Sequence, residues 1–143
     1  MQTINEIQQE IIDEFSIYDD WMDKYAFIIE QGNALHPIED KYKTPENIIK
    51  GCQSRVWLQT DYRDGKLFFE AESDAIIVKG LLALVLRVFN GRTPDEIIGT
   101  DLRFMKEIGL TEHLSPTRSN GLLSVIKQIR YYAIAYKSKE DRN

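Results

Sequence analysis

The chain has 143 residues and a net charge of −5, a length that suits one domain able to bury roughly 68–70% of its unfolded surface without disulfide or metal staples. The acidic balance argues against a nucleic-acid partner, since binding a polyphosphate rests on clustered positive charge. A single cysteine, Cys52, excludes an intramolecular disulfide framework. The first residues, Met1 to Glu6, lack the basic start and apolar run of a secretory leader. The most apolar stretch, 76–89, carries Lys79 and Arg87 and falls short of the roughly 20 apolar residues a bilayer span requires. These features predict a cytoplasmic protein, away from nucleic acid and membrane, in a reducing compartment where a free thiol persists.

In chain order, Thr3 and Glu6 form a capping-box pattern ahead of a helical stripe of Ile4, Ile7, Ile11 and Phe15. A second helix is expected from Asp19 or Asp20, with Trp21, Tyr25, Ile28 and Ile29 on its apolar face and Gly32 at its C-terminal end. Residues 33–43 read as irregular. Thr44-Pro45 opens a helical turn or two up to Lys50. The period then changes to two: Val56, Leu58, Thr60 and Tyr62 alternate with polar neighbours, and Leu67, Phe69 and Ala71 do so after Asp64-Gly65, a hairpin-turn dipeptide. An antiparallel hairpin over 55–73 must pack on helices, with a possible third strand that the pattern does not locate. Ser73 or Asp74 is expected to cap a buried central helix through Ile77, Leu81, Leu84, Val85 and Val88. Thr93-Pro94-Asp95-Glu96 starts a short helix that stops near Gly99, and Asp101 is expected to cap another, with Leu102, Met105 and Ile108, that ends at Gly109. Ser115-Pro116 opens the last helix, striped by Leu122, Ile126, Ile129, Ala133 and Tyr136, and the polar tail 137–143 is expected to fray. Helices, one hairpin, then helices make an α+β fold, one compact domain across 1–143 with an antiparallel sheet packed against helices.

Cys52 is the chemical centre of interest. Its neighbours Gly51, Gln53 and Ser54 are small or polar, and it lies between a helical turn and a strand, where functional loops sit. Gly51 permits an unusual backbone angle there. Local sequence leaves a reactive thiol and an inert core thiol equally open. A persulfide carrier would need a thiol that ionises, a perch that reaches another protein, and shielding of the product. With no second cysteine to close a disulfide, a sulfur on Cys52 can leave only to an outside acceptor or reductant. His36 and His113 could pair with Cys52 in a hydrolase, but exposed or capping histidines are the favoured reading. The spacing 36, 52, 113 matches no zinc pattern, and one thiolate cannot hold an iron–sulfur cluster. Neither a metal nor any other cofactor is expected. Arg118 stands in the first turn of a helix, where a cation opposes the helix dipole; it is a candidate to face Cys52 and favour its thiolate. Asp13, Glu14, Asp19, Asp20 and Asp23 read as a solvated acidic face. Trp57 and Phe68, on the polar strand faces, could cover the cysteine or a partner.

Gly51-Cys52-Gln53-Ser54-Arg55-Val56-Trp57 resembles the signature of the SufE family of sulfur acceptors. The segment Trp21 to Gly32, the run Ser73 to Leu81, and Leu110 to Leu122 with its Ser115-Pro116-Thr117-Arg118-Ser119-Asn120-Gly121 core resemble further family motifs in the same order. The resemblance implies a compact α+β fold similar to IscU-type iron–sulfur scaffold proteins. It implies that Cys52 accepts persulfide sulfur from a pyridoxal-phosphate cysteine desulfurase of the SufS or CsdA kind, and that the protein stimulates that enzyme without turnover of its own. The sulfur would pass to a scaffold such as a SufBCD-type complex for iron–sulfur cluster assembly. It also implies that Arg118, with Gly51, Gln53 and Ser54, positions or supports the thiol, and leaves Arg55, Asp74 and His113 as partner-binding candidates. A small Cys/His hydrolase and a pure interaction module with an incidental Cys52 are the competing classes.

Overall fold

The computed structural model describes residues 2–141, with the side chain of Asp141 outside the description. The capping box forms as expected: Thr3 Oγ1 accepts from Glu6 N, and Glu6 returns the bond to Thr3 N, starting α1, Ile4–Phe15. Asp20 caps α2, Trp21–Asn33, through the Asp23 amide. The chain continues through two 3-10 turns, Asp40–Tyr42 and Pro45–Asn47. Strands β1, Val56–Arg63, and β2, Lys66–Ser73, pair antiparallel from Val56–Ser73 to Arg63–Lys66. Asp64 and Gly65 both take positive φ in the turn, 53° and 77°, as the tight hairpin requires. The remaining elements are helical: α3, Ile76–Phe89; α4, Pro94–Gly99; α5, Arg103–Glu107; α6, Leu110–His113; and α7, Pro116–Asp141.

The hairpin buries Val56, Leu58, Leu67, Phe69 and Ala71 against α3, which is buried from Gly80 to Phe89 except for Arg87. Arg87 is the charged position within this buried stretch. It donates two bonds to the Glu14 carboxylate, at 2.9 and 2.7 Å, and one to Gln31, so a single side chain ties α1, α2 and α3 together. Glu14 is therefore an internal partner, not part of a wholly solvated acidic face.

Gly32 lies in the last turn of α2, as expected, and it also faces α3. A Cβ on Gly32 would lie 2.8 Å from Gly80 N, and one on Gly80 would lie 2.0 Å from Ile28 O. The two helices cross backbone to backbone, a separation only glycines allow.

Several local expectations are corrected. The 44–50 segment makes one 3-10 turn and then an isolated bridge from Ile48 to Trp57, and among the described residues the sheet has two strands. Helix α3 starts after Ala75 without a side-chain cap. Ser73 and Asp74 are spent on the strand end: Ser73 Oγ accepts from Ala75 N, and Asp74 Oδ1 accepts from Arg55 N. Asp101 does not cap α5; its carbonyl accepts from Gln8 Nε2 and Arg103 N, and Leu102 holds the cap position. The tail stays helical to Asp141, with Lys137 paired to Asp95; Arg142 and Asn143 lie outside the described residues. Among the described residues no helix is long and apolar enough to cross a membrane.

Gly80→Ala forces a methyl group into the α2 backbone. It should cost about 3 kcal/mol or more, the upper range for overpacking, read as a lower urea midpoint at unchanged m-value.

Candidate functional site

Cys52 lies at the tip of a loop whose base is closed on both sides. Ile49 N donates to Val56 O at 2.8 Å. On the far side Arg55 N donates to Asp74 Oδ1 at 3.0 Å, and Asp74 N donates to Arg55 O at 3.3 Å. Residues 50–55 thus form a closed loop between the isolated bridge at Ile48 and β1. Gly51 turns it with φ 93°, and a Cβ there would also sit 2.8 Å from Ser124 Oγ on α7. Glycine is needed on both counts.

That turn directs Cys52 inward. The residue is half-buried, and its thiol donates weakly to the Gly121 carbonyl at 3.4 Å. Beside it is a cavity of about 30 Å³, walled by Val56, Val78, Leu81, Leu82, Leu122 and Val125, with Ser54, Thr117 and Arg118 at its polar side. Four elements meet here: the loop, β1, α3 and the first turns of α7. Burial pushes the Cys52 thiol above its ordinary value, and desolvation is the cause that acts on it. In this resting arrangement the sulfur is a protonated, sheltered thiol.

The sequence candidates separate into three groups. Arg118 and Ser54 share the cavity with Cys52. The Arg118 side chain is exposed, and no hydrogen bond or ion pair joins it to the sulfur among the described residues; with the loop closed, it does not offset the desolvation. Gly51 and Gln53 are exposed neighbours in the loop, and Arg55 and Asp74 form its clamp. His113 stands apart: its ring stacks on Trp21 at 3.9 Å, and its Nδ1 lies 3.0 Å from Gly109 O. His36 borders a different cavity, beside Arg87 and Asn90. Neither histidine reaches Cys52, so the Cys/His hydrolase arrangement does not form. No group of three or more metal-ligating side chains occurs among the described residues. Trp57 and Phe68 do not cover the cysteine either. They lie on the outer hairpin face, under Lys43 and Arg63 respectively. What sequence reasoning missed is the cavity itself, because all of its apolar wall but Val56 comes from α3 and α7, far from Cys52 in the chain.

Fold and site together define an α+β protein that keeps one thiol folded against an apolar void at the end of a hairpin. The comparisons agree with that class. The family model for SufE, described as the Fe-S metabolism associated domain, matches residues 9–133. An uncharacterised SufE-like protein of Rhizobium etli is 45% identical over 126 residues, covering 85% of both chains. Another from Rhizobium meliloti is 46% identical over 126 residues, covering 85% of this chain and 90% of that one. A solution structure of a hypothetical protein from Thermus thermophilus superposes with a TM-score of 0.75 over 92% of this chain and 96% of its own, at 16% identity, a likeness of fold. The chain belongs to the SufE family.

Alkylation of Cys52 by iodoacetamide requires the thiolate, so a raised pKa moves the rate profile to higher pH. Its apparent pKa should exceed the ordinary thiol value of about 8.5; a midpoint at or below that value would contradict the buried thiol. Asp74→Ala unclamps Arg55 and should raise the alkylation rate at neutral pH while costing about 1 kcal/mol of stability.

Proposed function

We propose that this protein is a sulfur acceptor and carrier. Cys52 takes the outer sulfur of a persulfide formed on a pyridoxal-phosphate cysteine desulfurase, SufS-like or CsdA-like, stimulates that enzyme by draining it, and delivers the sulfur for iron–sulfur cluster assembly, for instance to a SufBCD-type complex. The chain acts as one SufE-like domain in the cytoplasm, and as a carrier, not as an enzyme with its own turnover. Family membership supports the association with iron–sulfur metabolism. The observation that carries the finer reading is the pairing of the chain's one thiol with an apolar void of about 30 Å³, room for about one small group by the measure that a single water needs roughly 10–15 Å³. An added sulfur would fit there, away from water and stray thiols.

The chemistry is one exchange. The Cys52 thiol first loses its proton, which requires the loop to leave the cavity because burial disfavours the thiolate. The thiolate attacks the terminal sulfur of the donor persulfide. A new S–S bond forms to Cys52, the donor S–S bond breaks, and the donor cysteine leaves as a thiolate. No net oxidation occurs. The Cys52 persulfide then returns to the apolar void or meets the next acceptor. Arg118, at the cavity rim, is suited to meet the persulfide anion as the loop moves, and its exposed guanidinium is free to do so.

Incubation with an active cysteine desulfurase and cysteine should add one sulfur to the intact chain, removable by reductant, as read by mass spectrometry. Cys52→Ser should fold normally and gain nothing. An unmodified wild-type chain beside the desulfurase of the same genome would refute the reading. Arg118→Ala should fold normally and slow sulfur transfer about tenfold or more, on the scale of losing a charge-assisted contact of roughly 1.5–3 kcal/mol.

A further inference from the structure

The long helix α7 is apolar on two faces. One face buries Leu122, Val125, Ile126, Ile129 and Ala133. The other exposes Leu123 at 55%, Tyr131 at 65% and Ile134 at 55% of their surface. These three, with Lys127, fall at i, i+4, i+8 and i+11, a single stripe on a helix. Beside the stripe runs an open groove of about 500 Å³ between α7 and residues 46–50, where Ile48 is 38% exposed. The groove reaches Lys50, and Lys50 opens the Cys52 loop.

Several cations gather in the same region. The chain is acidic overall, yet Lys50 and Arg55 flank the loop, Arg118 edges its cavity and Lys127 lies in the groove. None of the four has a carboxylate within ion-pair distance among the described residues. The groove's carboxylate, Glu46, is turned back on its own backbone amide and the Thr44 hydroxyl. A surface with an apolar centre and unpaired cations, continuous with the reactive loop, fits a partner that is apolar and acidic around its own reactive sulfur.

Resting on the sulfur-acceptor reading above, we propose that the α7 stripe and its groove, from Ile48 and Lys50 to Ile134, are the docking surface for the cysteine desulfurase, which meets it with an apolar segment bearing carboxylates. Docking there would bring the partner against the base of the Cys52 loop. Lys127 supplies the complementary charge and Tyr131 the aromatic anchor.

The test is calorimetric titration of the full chain with the pyridoxal-phosphate cysteine desulfurase of the same genome, at low and high salt, alongside sulfur transfer to Cys52 at sub-saturating protein. Lys127→Glu and Tyr131→Ala should each weaken binding by tenfold or more, and Lys127→Arg should retain wild-type affinity. Wild-type binding should weaken with salt, and thermal midpoints should stay unchanged. Variants that bind and accept sulfur as the wild type does would overturn the docking surface while leaving the acceptor reading intact. So would a concentration-dependent dimer of the free chain that Tyr131→Ala abolishes without weakening desulfurase binding. A wild-type chain that neither binds the desulfurase nor gains sulfur would remove the acceptor reading, and this proposal with it.

Discussion

Helices α2 and α3 touch through Gly32 and Gly80, and the depth of that contact governs what surrounds it. With a Cβ of Gly80 only 2.0 Å from the Ile28 carbonyl, any larger residue would push the helices apart. Close approach lets α3 be buried on nearly all sides, with the hairpin against it and α7 also in contact. It also sets Val78, Leu81 and Leu82 as one wall of the cavity beside Cys52. Beyond the crossing, α2 carries Trp21 and Tyr25 to His113, whose ring stacks on Trp21 and whose carbonyl accepts from the Tyr25 hydroxyl at 2.7 Å. That contact holds the short helix immediately before α7. The position of the α7 first turns, and hence of Arg118 and Gly121 against the cysteine, depends on both.

Under the proposed acceptor role, the loop meets two opposed demands on one sulfur. A nucleophile must ionise and reach outward, whereas a carried sulfur must be hidden from water and thiols. The apolar void serves the second demand while the loop is closed, and the same burial keeps the free thiol protonated. The first is open to it because the loop is short and its closure at Arg55 consists of a side-chain and a backbone hydrogen bond to Asp74. Net hydrogen-bond energies of about 1 kcal/mol each lie within what a docking partner can offset. Under the proposed docking, the cations beside this loop, in a chain of opposite net charge, would put partner recognition and sulfur transfer on one face.

Much of this was legible in the chain. Period-two alternation and Asp64-Gly65 located the hairpin, and the capping boxes at Thr3 and Thr93 located two helix starts. The signature around Cys52 pointed to the thiol and, with the later motifs, to the family. The errors share one cause. Asp74 and Asp101 were read as helix caps, and each instead meets a remote segment: Asp74 clamps the Cys52 loop at Arg55, and the Asp101 carbonyl accepts from Gln8; Ser73 stays local but bonds the Ala75 amide at the strand end instead of capping α3. Short polar and small residues have the same local signature whether they cap their own helix or meet a remote backbone.

By itself, then, the sequence determined what depends on neighbours within a few residues: the order of helices and strands, the turn, the caps that form, and a single thiol in a loop of small and polar residues. The tertiary structure alone decided that this thiol faces inward, that Arg118 stands at the edge of its cavity and not on the sulfur, and that neither histidine joins it. Those outcomes depend on contacts between segments dozens of residues apart, and on the free energy of desolvating a thiol, which no local pattern of residues encodes.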